Sequence, residues 1–176
     1  MDLEAERVHA LRELAEGPAI LASMVNAVSD AALDFHDPSG GWSAREILAH
    51  LADMEFNLHW TARVARVLFE ERPVIGLVDS AEADWRALEH RYANQDPRVA
   101  MGAFTMARKN LIRRLAAAAA EDWLRAAVDP EGNAKTVLQI AQGIVRHDRR
   151  HLHRMKELIE KAGEGDADAA TRQAGF

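Results

Sequence analysis

Cysteine is absent from the 176 residues of this chain. A disulfide framework, a thiolate nucleophile and a cysteine-ligated zinc site are therefore excluded. Any metal ion must be held by nitrogen and oxygen atoms, chiefly those of histidine and carboxylate side chains. A thiol nucleophile, if the chemistry uses one, would have to arrive as a cosubstrate.

Basic residues are outnumbered, because 22 lysines and arginines face 28 aspartates and glutamates for a formal net charge of -6. A protein that binds a phosphate backbone needs a basic face, so no nucleic acid partner is expected. The sequence also lacks an apolar run of about 18 residues, and its acidic start MDLEAERVHALREL does not resemble a secretory signal. We therefore expect no membrane span and a cytoplasmic location.

Helix-breaking residues are few, with five prolines and ten glycines in the whole chain. Apolar residues recur at spacings of three and four, which is typical of helices packed on one side. The sequence therefore predicts an all-α fold. We expect a single domain over residues 1–162, followed by a flexible C-terminal tail over residues 163–176, where the sequence GEGDADAATRQAGF is small and polar.

Capping signals place the first two long helices. The first is predicted from about residue 3 to residue 28, with Gly17-Pro18 either kinking it or restarting it. The second is predicted from Ser43 to about residue 69, because Ser43 and Glu46 form a capping box. Trp42 is expected to pack against the first turn of that helix as a hydrophobic staple.

Two further long helices and one short helix complete the prediction. The short helix covers about residues 79–92 and is expected to pack onto the bundle through Trp85, Leu88 and Tyr92. Asp96-Pro97 begins the third long helix, which ends near residues 116–120. Thr136 and Gln139 form a second capping box ahead of the fourth, which runs to about residue 161. The predicted architecture is a four-helix bundle with an extra short helix in the second-to-third connection.

Three histidines are predicted to face the core. His147 and His151 fall roughly 20° to either side of Ile140, inside the apolar stripe of the fourth helix. Two imidazoles four residues apart on one helix can converge on one metal ion. His50 lies about 60° from the centre of the second helix's stripe and is the best third ligand. The remaining histidines are expected at the surface or in local hydrogen bonds: His9, His36, His59, His90 and His153.

Spacing alone leaves two interpretations open. An inward histidine is commonly a hydrogen-bonded core residue, which needs no metal. A buried pair, however, needs partners for both rings, and a shared cation would satisfy them together. Asp53 and Asn57 lie one and two turns from His50, so either could line the pocket or orient a ring nitrogen. Asp148, Arg149 and Arg150 are interpreted as a charged helix flank with weak ion pairs.

Two sequence blocks carry a family resemblance. GGWSAREILAHLADME and RHDRRHLHRMKEL resemble the DinB-like (YfiT-type) metalloprotein superfamily, and ARKNLIRRL with TVLQIAQGIVRHD extends the likeness over most of the chain. The resemblance implies a four-helix bundle that is often a homodimer and binds a divalent metal through three histidines. On this sequence those ligands fall on His50, His147 and His151, and zinc or nickel is the expected ion, with iron and manganese as further candidates.

The resemblance also implies a reaction class. It favours a metal-dependent transferase that acts on a small-molecule substrate with a low-molecular-weight thiol as cosubstrate. Two alternatives stay open at this stage: a metal-dependent hydrolase that needs no thiol, and a non-enzymatic, stress-related metal-binding bundle. No motif in the sequence identifies the substrate.

Overall fold

The computed structural model describes residues 2–56, 60–76 and 80–174. Over these residues the chain is mostly helical, so the predicted all-α fold is confirmed. Four long helical segments form the bundle, and a small antiparallel hairpin that the sequence did not reveal precedes the last helix. The elements are α1 (Leu3–Asn26), α2 (Asp30–Leu33), α3 (Ala44–Phe56), α4 (Trp60–Phe69), α5 (Ser80–Glu89), α6 (Pro97–Ala117), β1 (Ala126–Val128), β2 (Ala134–Thr136) and α7 (Val137–Ala174).

Helix α1 is continuous through the Gly17-Pro18 pair, so the chain does not restart there. Asp2 caps its N-terminus, and its side chain accepts a hydrogen bond from the backbone N–H of Glu4 at 3.3 Å. The helix ends at Asn26, and Ser29 then caps the one-turn helix α2. A proline inside a helix leaves one backbone carbonyl without its usual N–H donor. In α1 this is the carbonyl of Leu14, which accepts instead from the Arg108 guanidinium.

Both predicted capping boxes are present. The Glu46 carboxylate accepts from the N–H of Ser43 at 2.8 Å, while the Ser43 hydroxyl accepts from the N–H of Glu46 at 3.2 Å. Thr136 and Gln139 make the same reciprocal pair ahead of α7, at 2.9 and 3.2 Å. These caps set where the histidine-bearing helices begin. The single helix predicted over residues 43–69 is described as α3 and α4, and residues 57–59 between them lie outside the described part.

The short helix α5 is present, but its predicted packing is wrong for two residues. Trp85 and Leu88 are 58% and 80% exposed, whereas Tyr92 is fully buried in the 3-10 turn Tyr92–Asn94. Arg86 explains the difference, because its guanidinium binds Asp53 of α3 at 3.4 Å and so turns a polar face of α5 toward the bundle. The spacing of apolar residues in a ten-residue helix does not reveal an ion pair with another helix.

Helix α7 continues to Ala174, well beyond the predicted end near residue 161. The residues between Lys161 and the end of α7 include two glycines but no proline, and most of the others are tolerated in a helix. Their small, polar character therefore did not mark a helix end. The flexibility expected of residues 163–176 stays a prediction.

The buried apolar residues form two clusters. One includes Leu14, Leu111 and Ile144, and the other includes Leu21 and Phe104. Four further buried residues, one from each long segment of the bundle, meet around the Arg108 guanidinium. These residues are Gly17 of α1, Glu55 of α3, Arg108 of α6 and Asp148 of α7. We call them the charged layer.

None of the helices in residues 2–56, 60–76 and 80–174 combines the length and the apolar character that a bilayer span requires.

Candidate metal centre

Three histidine rings meet where α3 packs against α7. His50 comes from α3 and is 4% exposed, while His147 and His151 come from successive turns of α7 and are half-buried. The Nε2 atoms of His50 and His147 lie 3.2 Å apart, and one potential ligand atom from each of the three rings lies within 4.8 Å of the others. The inward direction predicted for all three rings is therefore what the fold produces.

The donor set fits a transition-metal ion. Two nitrogens that each lie about 2.0–2.1 Å from a tetrahedral ion are roughly 3.3 Å apart, close to the separation of the His50 and His147 Nε2 atoms. A hydrogen bond between those two atoms could account for one contact, but it leaves the third ring unexplained. The centroid of the His151 ring is 4.8 Å from that of His50 and 4.5 Å from that of His147.

The electrostatics of the site keep His151 neutral. Burial, followed by the nearby His147 and Arg150, lowers the pKa of His151 to about 4. A neutral imidazole has a free lone pair at neutral pH, which is the form that binds a metal ion.

Asp148 holds a position next to the ring of His147. Its Oδ1 atom lies 3.6 Å from Nδ1 of His147, the nitrogen opposite the one that faces His50. A carboxylate beside the far nitrogen of a metal-binding histidine fixes the ring's orientation and tautomer. Asp148 is 6% exposed, so its interpretation as part of a solvated helix flank is wrong.

Arg108 connects the two helices that present the histidines. Its Nη1 donates to Asp148 at 2.7 Å, and its Nε donates to Glu55, on the same helix as His50, at 3.0 Å. Burial alone would lower the pKa of Arg108, but the Glu55 and Asp148 charges outweigh burial and raise it. The guanidinium is therefore a permanent cation that fixes α3 and α7 relative to each other below the histidines.

A cavity of about 800 Å³ opens onto the three histidines. Two tryptophans border the rings, since Trp42 lies 4.9 Å from the ring of His50 and Trp60 lies 5.6 Å from the ring of His147, centroid to centroid. Trp42 is also nearly parallel to His151, at an interplanar angle of 16°. The expectation that Trp42 serves as a helix staple alone is therefore incomplete, because its side chain also forms a wall of this cavity.

The model of the DinB superfamily matches residues 13–155, a region that contains His50, His147, His151 and the charged layer. The chain belongs to the DinB superfamily.

Similar members of the DinB superfamily come from Bacillus species. A protein of Bacillus pumilus named "Putative metal-dependent hydrolase" is 28% identical over 85% of this chain and 82% of its own length. The "Putative metal-dependent hydrolase YfiT" of Bacillus subtilis is 27% identical over 87% of this chain and 84% of its own. The solved structure of YfiT, described as "a probable metal-dependent hydrolase with an unusual four-helix bundle topology", superposes with a TM-score of 0.78 at 25% identity, covering 89% of this chain and 87% of YfiT.

Asp53, a candidate for orienting a ligand in this DinB fold, is engaged elsewhere. Its carboxylate accepts from the Tyr92 hydroxyl at 2.7 Å and contacts His90 Nδ1 at 3.0 Å and Arg86 at 3.4 Å. Burial, and then this hydrogen bond, raise the pKa of Tyr92 above its usual value. Asp53 therefore anchors the segment after α5 onto α3. Asn57, the other candidate, lies outside the described residues.

Three of the other histidines behave as the sequence predicts. His9, His36 and His153 are exposed and lie near Glu13, Glu46 and Glu157 respectively, at 3.0 to 3.2 Å. His90 differs from the prediction, because it is half-buried and its Nδ1 contacts the carboxylate of Asp53, 37 residues away on α3, at 3.0 Å. His59 lies outside the described residues.

Sequence reasoning missed Trp60, Glu55 and Arg108 at this centre. Trp60 lies at the start of α4, whereas His50 lies on α3, and its place beside the rings depends on how α4 packs against α7. A lone arginine among apolar residues of a predicted core face was the available signal for Arg108, because a buried cation requires buried partners.

Proposed function

We propose that this chain is a metal-dependent hydrolase in which His50, His147 and His151 hold one divalent transition-metal ion. The observation that carries the proposal is the meeting of three imidazoles at the wall of a cavity of about 800 Å³. Three protein ligands facing a space large enough for a substrate are typical of catalytic rather than structural metal sites. The names of the relatives support hydrolysis as the reaction.

Residues of this chain would divide the remaining tasks. A bound divalent ion supplies Lewis-acid activation of water or of a substrate oxygen. Asp148 orients the ring of His147, and Arg108 keeps Asp148 ionised and in place. Trp42 and Trp60 offer flat apolar surfaces on which the organic part of a small molecule can pack while water is excluded.

Two other functions predicted from the sequence remain to be separated from hydrolysis. The names of the relatives give no support to a thiol transferase, although the cavity would admit a small thiol as well as water. A non-enzymatic role would favour a closed site with four protein ligands, whereas three histidines beside a cavity favour open coordination positions. The identity of the metal, the homodimer and the cytoplasmic location also stay predictions.

The test is hydrolysis of a panel of 4-nitrophenyl esters and amides by protein loaded separately with zinc, nickel, iron or manganese. The proposal expects turnover without any thiol, loss of turnover with a chelator, and its recovery when the metal is returned. Turnover that requires an added thiol would favour the transferase instead.

Histidine variants provide the matched control. His151→Ala is expected to lower activity by at least roughly 100-fold, because it removes a proposed ligand. His153→Ala removes an exposed histidine from the same helix and is expected to leave activity unchanged. Equal activity in the two variants would reject the assignment of the site.

A further inference from the structure

The cavity at the histidines is richer in positive charge than the chain as a whole. Four basic side chains line it: Arg63, Lys135, Arg146 and Arg150. Two carboxylates do so, those of Asp84 and Asp129. Leaving the histidines aside, the lining carries four basic and two acidic side chains, an excess of two positive charges, although the whole chain has a net charge of -6.

On helix α7, the basic residues that line the cavity differ from the other basic residues in having no carboxylate partner among the described residues. Four of its basic residues up to residue 164 have carboxylate partners: Arg149 pairs with Glu13, Arg154 with Asp37 and Glu157, Lys156 with Glu160, and Lys161 with Asp37. Arg146 and Arg150 also belong to this helix and line the cavity. Neither makes a hydrogen bond or an ion pair with any residue in the described part of the chain.

The position of this pair relative to the histidines is regular. Arg146 and Arg150 each precede one of the α7 histidines by one residue and lie one turn apart, so their side chains project from adjacent positions on one face. Arg146 and Arg150 line the same cavity as His147 and His151. Both arginines are exposed, as groups that meet an incoming solute must be.

The acidic groups at the cavity do not neutralise these arginines. Asp129 is occupied by the hairpin turn, because its carboxylate accepts from the Asn133 N–H at 2.7 Å and from the Asn133 amide at 3.0 Å. Asp84 lies on α5 and forms no ion pair with Arg146 or Arg150. Lys135, on the same hairpin as Asp129, adds a third exposed cation.

We propose that Arg146 and Arg150 bind an anionic group, a carboxylate or a phosphate, of a small organic substrate whose reacting bond lies at the histidines. This inference rests on the proposed function for its reacting end, but the anion site itself does not require catalysis. Guanidinium groups match both oxyanions through paired N–H donors. Basic residues around the opening of a cavity in an otherwise acidic protein also attract anions toward the histidines.

Binding tests the anion site without any turnover. Succinate, phosphate and the neutral analogue succinamide are titrated into metal-free and zinc-loaded protein by calorimetry or by NMR shifts. The double variant Arg146→Gln/Arg150→Gln is expected to weaken succinate binding roughly 10-fold, with a smaller dependence on salt. The matched control Arg149→Gln/Lys156→Gln removes the same charge from the same helix and is expected to bind like the wild type.

Kinetics then test specificity with two esters that differ by one methyl group. Mono-4-nitrophenyl succinate is an anion, and methyl 4-nitrophenyl succinate is its neutral counterpart. The wild type should prefer the anion by roughly 10-fold in kcat/KM, and the cavity-facing double variant should lose that preference. Comparing phosphate with succinate in the binding arm identifies which oxyanion is preferred.

The outcomes separate the two proposals. Succinate binding that depends on Arg146 and Arg150 supports the anion site even if neither ester is hydrolysed, in which case the hydrolase proposal alone fails. Hydrolysis without charge preference, together with equal succinate binding by the two double variants, overturns the anion site and leaves the hydrolase proposal standing. Absence of succinate and phosphate binding by the wild type also overturns it.

Discussion

Arg108 donates a hydrogen bond to the backbone carbonyl of Leu14 at 3.3 Å. In a regular helix this carbonyl would accept from the N–H of residue 18, but residue 18 is proline and has none. Gly17 contributes as well, because a Cβ at that position would come within 3.3 Å of the same guanidinium nitrogen. Arg108 thus contacts α1 at the Gly17-Pro18 pair, and the helix continues through that pair.

Arg108→Met should strongly destabilise the protein. The variant keeps an apolar stem but leaves Glu55 and Asp148 as buried carboxylates without their cation, which costs about 3–5 kcal/mol. Chemical denaturation should show this loss in the free energy of unfolding. Arg113→Met, at an exposed position of the same helix, should change it by less than about 0.5 kcal/mol. Similar midpoints for the two variants would contradict a structural role for the charged layer.

Gly17→Leu tests the close approach of α1 to Arg108. A side chain at residue 17 must displace the guanidinium, and overpacking of this kind costs roughly 1–3 kcal/mol. Gly102→Leu makes the same exchange at an exposed helical glycine with nothing within 4 Å. There the gain in helix propensity should stabilise the protein by roughly 0.5–1 kcal/mol. The thermal midpoint is expected to fall in Gly17→Leu and to rise in Gly102→Leu. A rise in both variants would argue against a close contact between residue 17 and Arg108.

Asp148→Asn should weaken metal binding while the protein stays folded. The amide has the size of the carboxylate but lacks its charge, so the electrostatic attraction between Asp148 and the Nδ1 side of the His147 ring, 3.6 Å away, is weakened and the ring is held less firmly. Partners of this kind commonly contribute 10–100-fold to metal affinity. Competition with a chelator measures the change, and Asp129→Asn, a cavity carboxylate away from the histidines, is the control. An unchanged metal affinity in Asp148→Asn would show that Asp148 does not position the His147 ring for metal binding.

Asp37 predicts how stability depends on pH. The Lys161 ammonium and then the Ser39 hydrogen bonds hold the pKa of Asp37 below its ordinary value of 3.8. A carboxyl with a lowered folded-state pKa stabilises the protein fully above its unfolded pKa, and the contribution is lost as pH falls through the folded value.

Thermal midpoints of the wild type and Asp37→Asn, measured from pH 7 to pH 3, check this. The wild type should be the more stable by a constant margin down to about pH 5, and the margin should shrink below about pH 4. The two proteins differ only at residue 37, so contributions from the other residues cancel in the difference. A margin that grows on acidification would contradict the sign.

The sequence predicts those parts of the structure that depend on local chemistry. Caps are set by residues three apart, so Ser43 with Glu46 and Thr136 with Gln139 could be identified without coordinates. Helical periodicity likewise gave the direction of His50, His147 and His151, because each lies within a long regular helix.

Contacts between distant segments could not be predicted in this way. Arg108, Glu55 and Asp148 are 40 and 53 residues apart, and each alone looks like an ordinary charged residue on a helix. Trp60 reaches the histidines only through the packing of α4 against α7. The hairpin of three-residue strands is too short to show a periodic pattern, yet it forms one wall of the cavity.

The most direct test of the central claim is an anomalous difference map from crystals of the protein loaded with zinc or nickel. We expect one strong peak per chain at bonding distance, about 2.0–2.2 Å, from an imidazole nitrogen of each of His50, His147 and His151, with at least one coordination position facing the cavity. A peak at other residues, a site closed by a fourth protein ligand, or no peak at full metal loading would contradict the account.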